Sequence, residues 1–388
     1  MRFLESGFFS RQELKKNNAM KKTRIKKIPW WEPRINVPGA EELLLEVLRS
    51  NFPNDGDFTT QFEEEVARRL GVKYAVGVTS GTAAMFLALK ALDIGHGDEV
   101  IVPDITFIAT ANAVSMAGAK PILVDIDPAT MTMDPVAFES AITSRTKAVI
   151  PVHVSGRAAD MTAIMRIATA HGIHVVEDAA EALLSRHKGK NLGTFGAMGC
   201  FSFSPHKIIT LGQGGLVVTD NKQLHFNLRK LKDQGRPVRG TGGDDIHESI
   251  GYNFRLTNLQ AVLGLAQLAC LEERVKRMVQ NYEWYATHLR QIDGLSFFGF
   301  NIAGHEVPQW TDVAVDKRDV LDQYLRKQNI ECRRFWFPIH SQAPYRQSDK
   351  NFPQSTRMSP QALWLPSAFT MTKGDLETVC VHIKRFMK

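Results

Sequence analysis

One lysine and two carboxylates stand where short strand-like runs meet their turns. Lys207 lies in Phe203-Ser-Pro-His-Lys-Ile-Ile-Thr-Leu-Gly-Gln-Gly-Gly215, between the strand-like runs Cys200–Phe203 and Leu216–Thr219. A partly buried amine at such a corner loses its proton easily and is suited to Schiff-base chemistry, although a solvated turn lysine fits the same string. Asp178 and Glu181 follow the run His174–Glu177 in Glu177-Asp-Ala-Ala-Glu181. An aspartate leaving a central strand among small residues can pair with a buried cationic nitrogen, or can simply cap a helix. Ser80-Gly-Thr82 opens a helical pattern just after Tyr74–Val78. Free N–H groups and the helix dipole make that junction an anion site, while capping by Ser80 or Thr82 uses the same residues. Ser202 shares the lysine's corner and could face a phosphate. Phe107, after Val102-Pro-Asp-Ile-Thr106, is either a core aromatic or a platform for ring stacking.

Taken together and in order, these residues supply a phosphate cradle, a stacking ring, an aspartate for a pyridinium nitrogen and a Schiff-base lysine. That set is what pyridoxal 5'-phosphate requires of a protein. Glycine-rich dinucleotide and P-loop patterns are absent, so those cofactors fall away.

The elements that must position these residues are legible in the periodicity. Strands are predicted at Tyr74–Val78, Glu99–Val102, Pro121–Val124, Ala148–Val154, His174–Glu177, Gly199–Phe203 and Gly215–Thr219. Helices are predicted between them at Ala83–Leu92, Ala109–Met116, Pro135–Ile142 and Asp160–His171. Such alternation implies an α/β fold with a mainly parallel sheet flanked by helices, which binds ligands beyond the carboxyl ends of its strands. A chain of 388 residues exceeds one compact core, so two domains are expected. Their bounds are set at 29–270 for the large, cofactor-binding domain and 271–388 for a smaller C-terminal α/β domain.

Hydrophobic residues make up 44% and charged residues 23% of the chain, the composition of an ordinary globular protein. The net charge of +7 is concentrated in an N-terminal arm, residues 1–28, which is expected to lack fixed structure. Beyond it the chain is near neutral, which argues against a nucleic-acid partner. No apolar run reaches the roughly twenty residues of a membrane span. Cys200, Cys270, Cys332 and Cys380 are scattered without zinc-type pairing, and are expected to be reduced thiols in a cytoplasm.

Several ordered blocks resemble the DegT/DnrJ/EryC1/StrS aminotransferases of fold type I. They are Ser80-Gly-Thr82, Gly97-Asp-Glu-Val-Ile-Val-Pro103, Val124-Asp-Ile-Asp127, Glu177 to Glu181, Phe203 to Gly215, and Gly251-Tyr-Asn-Phe-Arg-Leu-Thr-Asn-Leu-Gln260. The resemblance covers about residue 30 to the C-terminus, and the Asp-Ala-Ala-Glu and Lys-Ile-Ile-Thr runs are similar to the GDP-perosamine synthase branch. It implies that Lys207 carries the cofactor, Asp178 holds its ring nitrogen, and Phe107 lies on its ring. It implies that Ser80, Gly81, Thr82 and Ser202 bind the phosphate, joined by Asn253 from the second subunit of a homodimer. Glu181, Arg333 and His340 fall on the substrate side. The implied reaction moves an amino group from glutamate to C4 of a nucleotide-linked 4-keto-6-deoxy sugar. Alternatives are a same-family 3-dehydratase, amination of another cyclic ketone, and a cofactor-binding regulator without catalysis. Three stretches depart from the family pattern: His206 before the lysine, Val154-Ser-Gly-Arg157, and Asn51–Gly56. The last two are expected near the sugar or the subunit interface.

Overall fold

The computed structural model describes residues 26–237 and 246–388. The alternating segments between Tyr74 and Thr219 form one seven-stranded sheet. Its strands are β1 (Tyr74–Val78), β2 (Glu99–Pro103), β3 (Lys120–Val124), β4 (Thr146–Val149), β5 (His174–Asp178), β8 (Met198–Ser202) and β9 (Gly215–Thr219), and a small hairpin, β6 (Arg186–His187) with β7 (Lys190–Asn191), interrupts the sequence. The order is β1-β9-β8-β5-β4-β2-β3, and β9 runs antiparallel to both of its neighbours. The other pairings are parallel.

Alternate residues of each strand enter different cores, as the two-residue period of a strand demands. Val100 and Val102 join one apolar cluster, while Ile101 joins the other. Helix α3 (Gly81–Ala91), rich in alanine and leucine, covers the first face almost wholly buried. The predicted helix Ala109–Met116 is present with those bounds, as α4. The strand predicted at Ala148–Val154 ends at Val149, and the chain beyond it turns through Ser155, whose φ is 56°.

The second sheet is antiparallel, with β10 (Leu295–Phe297), β11 (Asp312–Val315), β13 (Ala362–Trp364) and β12 (Arg333–Arg334) in that order across it. The chain passes to it through α8 (Asn258–Leu268) and the long α9 (Leu271–Leu289). The second apolar cluster runs continuously from the large sheet into this smaller one.

Residues 1–25 of the basic arm lie outside the described residues. Lys26 to Ile28, also assigned to that arm, are anchored: Lys26 pairs with Asp375 at 2.6 Å, Lys27 with Glu331 at 2.7 Å, and Ile28 bridges to Ile330. Behind them Trp30 and Trp31 are buried, so the N-terminal segment straps onto C-terminal elements.

Two departures from the family pattern turn out to be structural. Arg157 is 2% exposed and donates to Asp312 at 2.6 Å and to the carbonyls of Thr130, Phe298 and Gly299. Loop 51–56 is tied to the start of α8, where Asn258 donates through its backbone to the Asn54 carbonyl and through its side chain to that of Phe52. Asp55 meets the buried Lys232 at 3.2 Å. Neither stretch lines the central cavity of this chain, although the Ser155 N–H of the first reaches Glu181 at its edge.

Candidate active site

A cavity of about 430 Å3 opens beyond the carboxyl ends of the parallel strands. It gathers Ser80, Gly81, Thr82, Phe107, Asp178, Glu181, Ser202, Lys207 and Arg333. At one end, the Ser80 hydroxyl accepts from the Ala83 N–H at 3.1 Å and so caps α3. The remaining first-turn N–H groups face the cavity unsatisfied by the helix, as helix starts must. Gly81 lies so close to β8 that an added Cβ would stand 2.9 Å from the Ser202 Cβ, and one on Gly215 would stand 2.2 Å from the Ser80 carbonyl oxygen. Glycine at both positions lets the loop close against the strand and leaves a cradle edged by two hydroxyls.

Asp178 ends β5 at 5% exposure. Its carboxylate accepts from the Thr110 hydroxyl at 2.8 Å and the Ala180 N–H at 3.2 Å. Burial pushes its carboxyl above the usual range, against the pull of those donors and of Lys207. Such a group is stabilised by a cationic nitrogen placed against it. Glu181, also raised by burial, accepts from Lys207 Nζ at 3.2 Å and from the Ser155 N–H at 2.8 Å. The Ser155 turn with its positive φ thereby aims the carboxylate at the lysine.

The lysine corner is clamped from outside its own segment. Trp31 Nε1 donates to the Pro205 carbonyl at 3.1 Å, and Arg274 to that of Ile208 at 2.8 Å. Gln309 accepts from the Ile208 N–H and donates to the His206 carbonyl, each at 3.2 Å. Lys207 Nζ then lies 4.9 Å from the Trp310 ring centre. Trp310 belongs to a cluster with Trp30 and Trp364, at centroid separations of 4.9 to 6.2 Å. Sequence reasoning missed this aromatic wall and the Gln309 clamp. The tryptophans were visible as residues, but no local pattern links positions 30, 310 and 364.

Three expected residues need comment. Phe107 is 53% exposed at the cavity, as a stacking ring requires rather than a core aromatic. Asn253 is exposed and outside this chain's cavity, its side-chain oxygen accepting from Arg255. His340, expected on the substrate side, is corrected: it is 1% exposed and held by Asp104 at 2.6 Å and Asp349 at 3.2 Å. It docks the 338–352 segment onto the strand end that leads to Phe107, and its ring stacks on Phe352 outside the cavity.

The cradle, the buried acid and the adjacent lysine fit pyridoxal phosphate at its phosphate, ring nitrogen and aldehyde in turn. Together with the sheet order they define a fold type I enzyme that works with this cofactor. The chain belongs to the DegT/DnrJ/EryC1/StrS aminotransferase family, whose pattern matches residues 38–384. It is 36% identical over 369 residues to the GDP-perosamine synthase of Caulobacter vibrioides, covering 92% of this chain and 99% of that protein. It is 38% identical over 326 residues to the UDP-N-acetyl-3-dehydro-alpha-D-glucosamine 3-aminotransferase of Acidithiobacillus ferrooxidans, covering 83% and 87%. Among solved structures, DesV of S. venezuelae superposes with a TM-score of 0.88 at 32% identity, covering 93% of this chain and 99% of that one. The chain is a pyridoxal-phosphate-dependent aminotransferase. No helix among the described residues is long and apolar enough to cross a membrane.

Proposed function

We propose that the protein transfers an amino group from glutamate to C4 of a GDP-linked 4-keto-6-deoxy sugar, in the making of amino sugars for surface polysaccharide or glycosylated products. The observation that carries the reaction type is Lys207 Nζ held 3.2 Å from Glu181 in the same cavity as the buried Asp178. Bound there, pyridoxal phosphate supplies the electron sink of the reaction. Asp178 keeps the ring nitrogen protonated, because a buried carboxylate is stabilised by a cation against it. Phe107 covers the ring, and Ser80, Gly81, Thr82 and Ser202 hold the phosphate. Once its amine is free, Lys207 can take a proton from the substrate carbon and return it one conjugated position away. Glu181 orients that amine and can share the proton.

Retention of an amine at position 207 favours transamination over dehydration, since a histidine there could move protons but not carry the cofactor. Similarity to the GDP-perosamine synthases of Caulobacter vibrioides and Escherichia coli O157:H7 favours guanine and C4. The 3-aminotransferase relative favours a second reading, a UDP-linked 3-keto sugar. The working unit is a homodimer in which Asn253 reaches the partner's phosphate site, a role suited to its exposed position outside its own cavity. A panel of GDP-, UDP- and dTDP-linked keto sugars, incubated with glutamate and read by mass, tests the assignment. Ready amination of the UDP- or dTDP-linked sugars with the GDP-linked one untouched rejects it. Mixing Lys207→Ala with Asn253→Ala chains should restore part of the activity; a fully active monomer in sedimentation rejects the shared site.

A further inference from the structure

Arg333 opens β12, in register with Trp364 of β13. Its guanidinium carbon lies 4.8 Å from the Trp30 ring centre and 5.5 Å from that of Trp364. The residue is half-buried and lines the same cavity as Lys207 and Glu181. Among the described residues its guanidinium has no hydrogen-bond or ion-pair partner, and the one carboxylate acting on it, Glu181, does so through space. Its neighbour Arg334 is paired with Asp322 at 3.0 Å, and Arg326 with the same residue at 2.8 Å. The wall around Arg333 is short of acceptors in general. The indole N–H groups of Trp30 and Trp310 are buried without one.

A half-buried guanidinium packed against indoles, with its N–H groups open to the cavity and no anion of its own, is free to take one from a ligand. With rings against it, what it offers is its N–H edge, whose fork matches the two oxygens of a carboxylate. We propose that Arg333 is the receptor for a carboxylate of the amino donor, and so selects an amino acid over a plain amine. This rests on the aminotransferase reading above and names the donor side of that same site. The other oxyanion in the chemistry is the diphosphate of the nucleotide. Its ligand is long and must run out towards solvent, whereas Trp364, 0% exposed, and Trp30, 8% exposed, place Arg333 on the inner wall.

The test uses the pyridoxamine-phosphate-loaded protein and two inert probes, glutarate for the donor and GDP for the nucleotide, titrated by calorimetry. Arg333→Gln is expected to bind glutarate about 100-fold more weakly, as loss of a charge-assisted pair implies, with GDP affinity unchanged. Arg333→Lys should fall between, keeping the charge but not the fork. In single turnovers, glutamate should drive the cofactor's spectral conversion only at raised concentration, while the keto-sugar half-reaction keeps its rate. Unchanged glutarate binding in Arg333→Gln, or GDP weakened as much as glutarate, overturns the proposal. Should Arg333→Gln fail to reach the wild-type melting temperature, Arg333→Lys decides on the same two titrations. A wild type that binds glutarate yet aminates no keto sugar sinks the substrate reading alone.

Discussion

The two walls of the cavity are built in opposite ways. One wall carries Ser80 to Thr82, Asp178, Ser202 and Lys207, each at or within a few residues of the end of a strand of one sheet. The other carries Trp310, Arg333 and Trp336 from distant C-terminal segments, backed by Trp30 of the N-terminal strap. The buried arginines repeat the contrast. Arg157, behind the walls, has every direction filled by Asp312 and three carbonyls, whereas Arg333 meets rings and open cavity. The side chains of the first wall are placed by local backbone, and those of the second by long-range packing.

The sharpest way to break this contrast is at Lys207. Lys207→Ala should abolish amino transfer, and borohydride should no longer fix the cofactor to the chain. In the wild type the reduced adduct should map to Lys207; an adduct on Lys188 or Lys190 would show that the cofactor wall is misread. Asp178→Asn is expected to lower kcat several-hundredfold, about 3–4 kcal/mol of barrier, with the melting temperature nearly kept. An equal loss from a substitution on the aromatic wall, with donor and sugar saturating, would erase the distinction between the walls.

Stability should follow the second wall. Arg157→Met leaves Asp312 buried and unpaired, which is expected to cost about 3–5 kcal/mol in calorimetric or denaturant unfolding. Starting the chain at residue 20 should leave melting and activity intact. Starting it at residue 32 deletes the two buried tryptophans Trp30 and Trp31 and should cost more than about 3–5 kcal/mol, the scale of losing one buried aromatic. A large loss from the shorter truncation would show that the basic arm is structural.

The smallest effect is a pH trend in the cofactor-free protein. Burial raises the Asp178 carboxyl, so the stability tied to it is full below the unfolded value of about 3.9 and is lost as pH rises through the folded one. Asp178→Asn does not titrate there. The cofactor-free variant should therefore gain on the wild type as pH rises towards neutrality, and the gap should close towards about pH 4. A gap that widens on acidification would mean that the group is not raised.

The same contrast explains what the sequence could show. The strand-and-loop wall was legible because Ser80-Gly-Thr82, Asp178 and Lys207 each follow an apolar run whose period is local. Ser80 is a helix cap and also lines the cavity, so its capping reading holds without displacing the other. The aromatic wall was not legible. Ile28 to Pro33 reads as a proline-punctuated extended stretch, and nothing near it names partners such as Trp310 or Trp364. His340 misled for a related reason: a histidine ending an Arg-to-His block says nothing of Asp104, which takes its ring out of the pocket. The burial of Arg157 was not legible because its anchors, Thr130, Phe298 and Asp312, are scattered along the chain.

The N-terminal strap also sets an order of assembly. Lys26 meets Asp375, 349 positions further on, and Ile28 bridges to Ile330. On a ribosome adding about 5–20 residues each second, the roughly 300 residues between the strap and its bridge take roughly 15–60 s to appear. The seven-stranded sheet has all its strands well before then, but on that nascent chain the two leading tryptophans can reach only the 205–206 corner and still lack their C-terminal partners Trp310 and Phe369. Through that interval the cationic stretch Lys21, Lys22, Arg24, Lys26 and Lys27 flanks those indoles as charged gatekeepers, which is how an apolar segment waiting for its partner is kept from self-association.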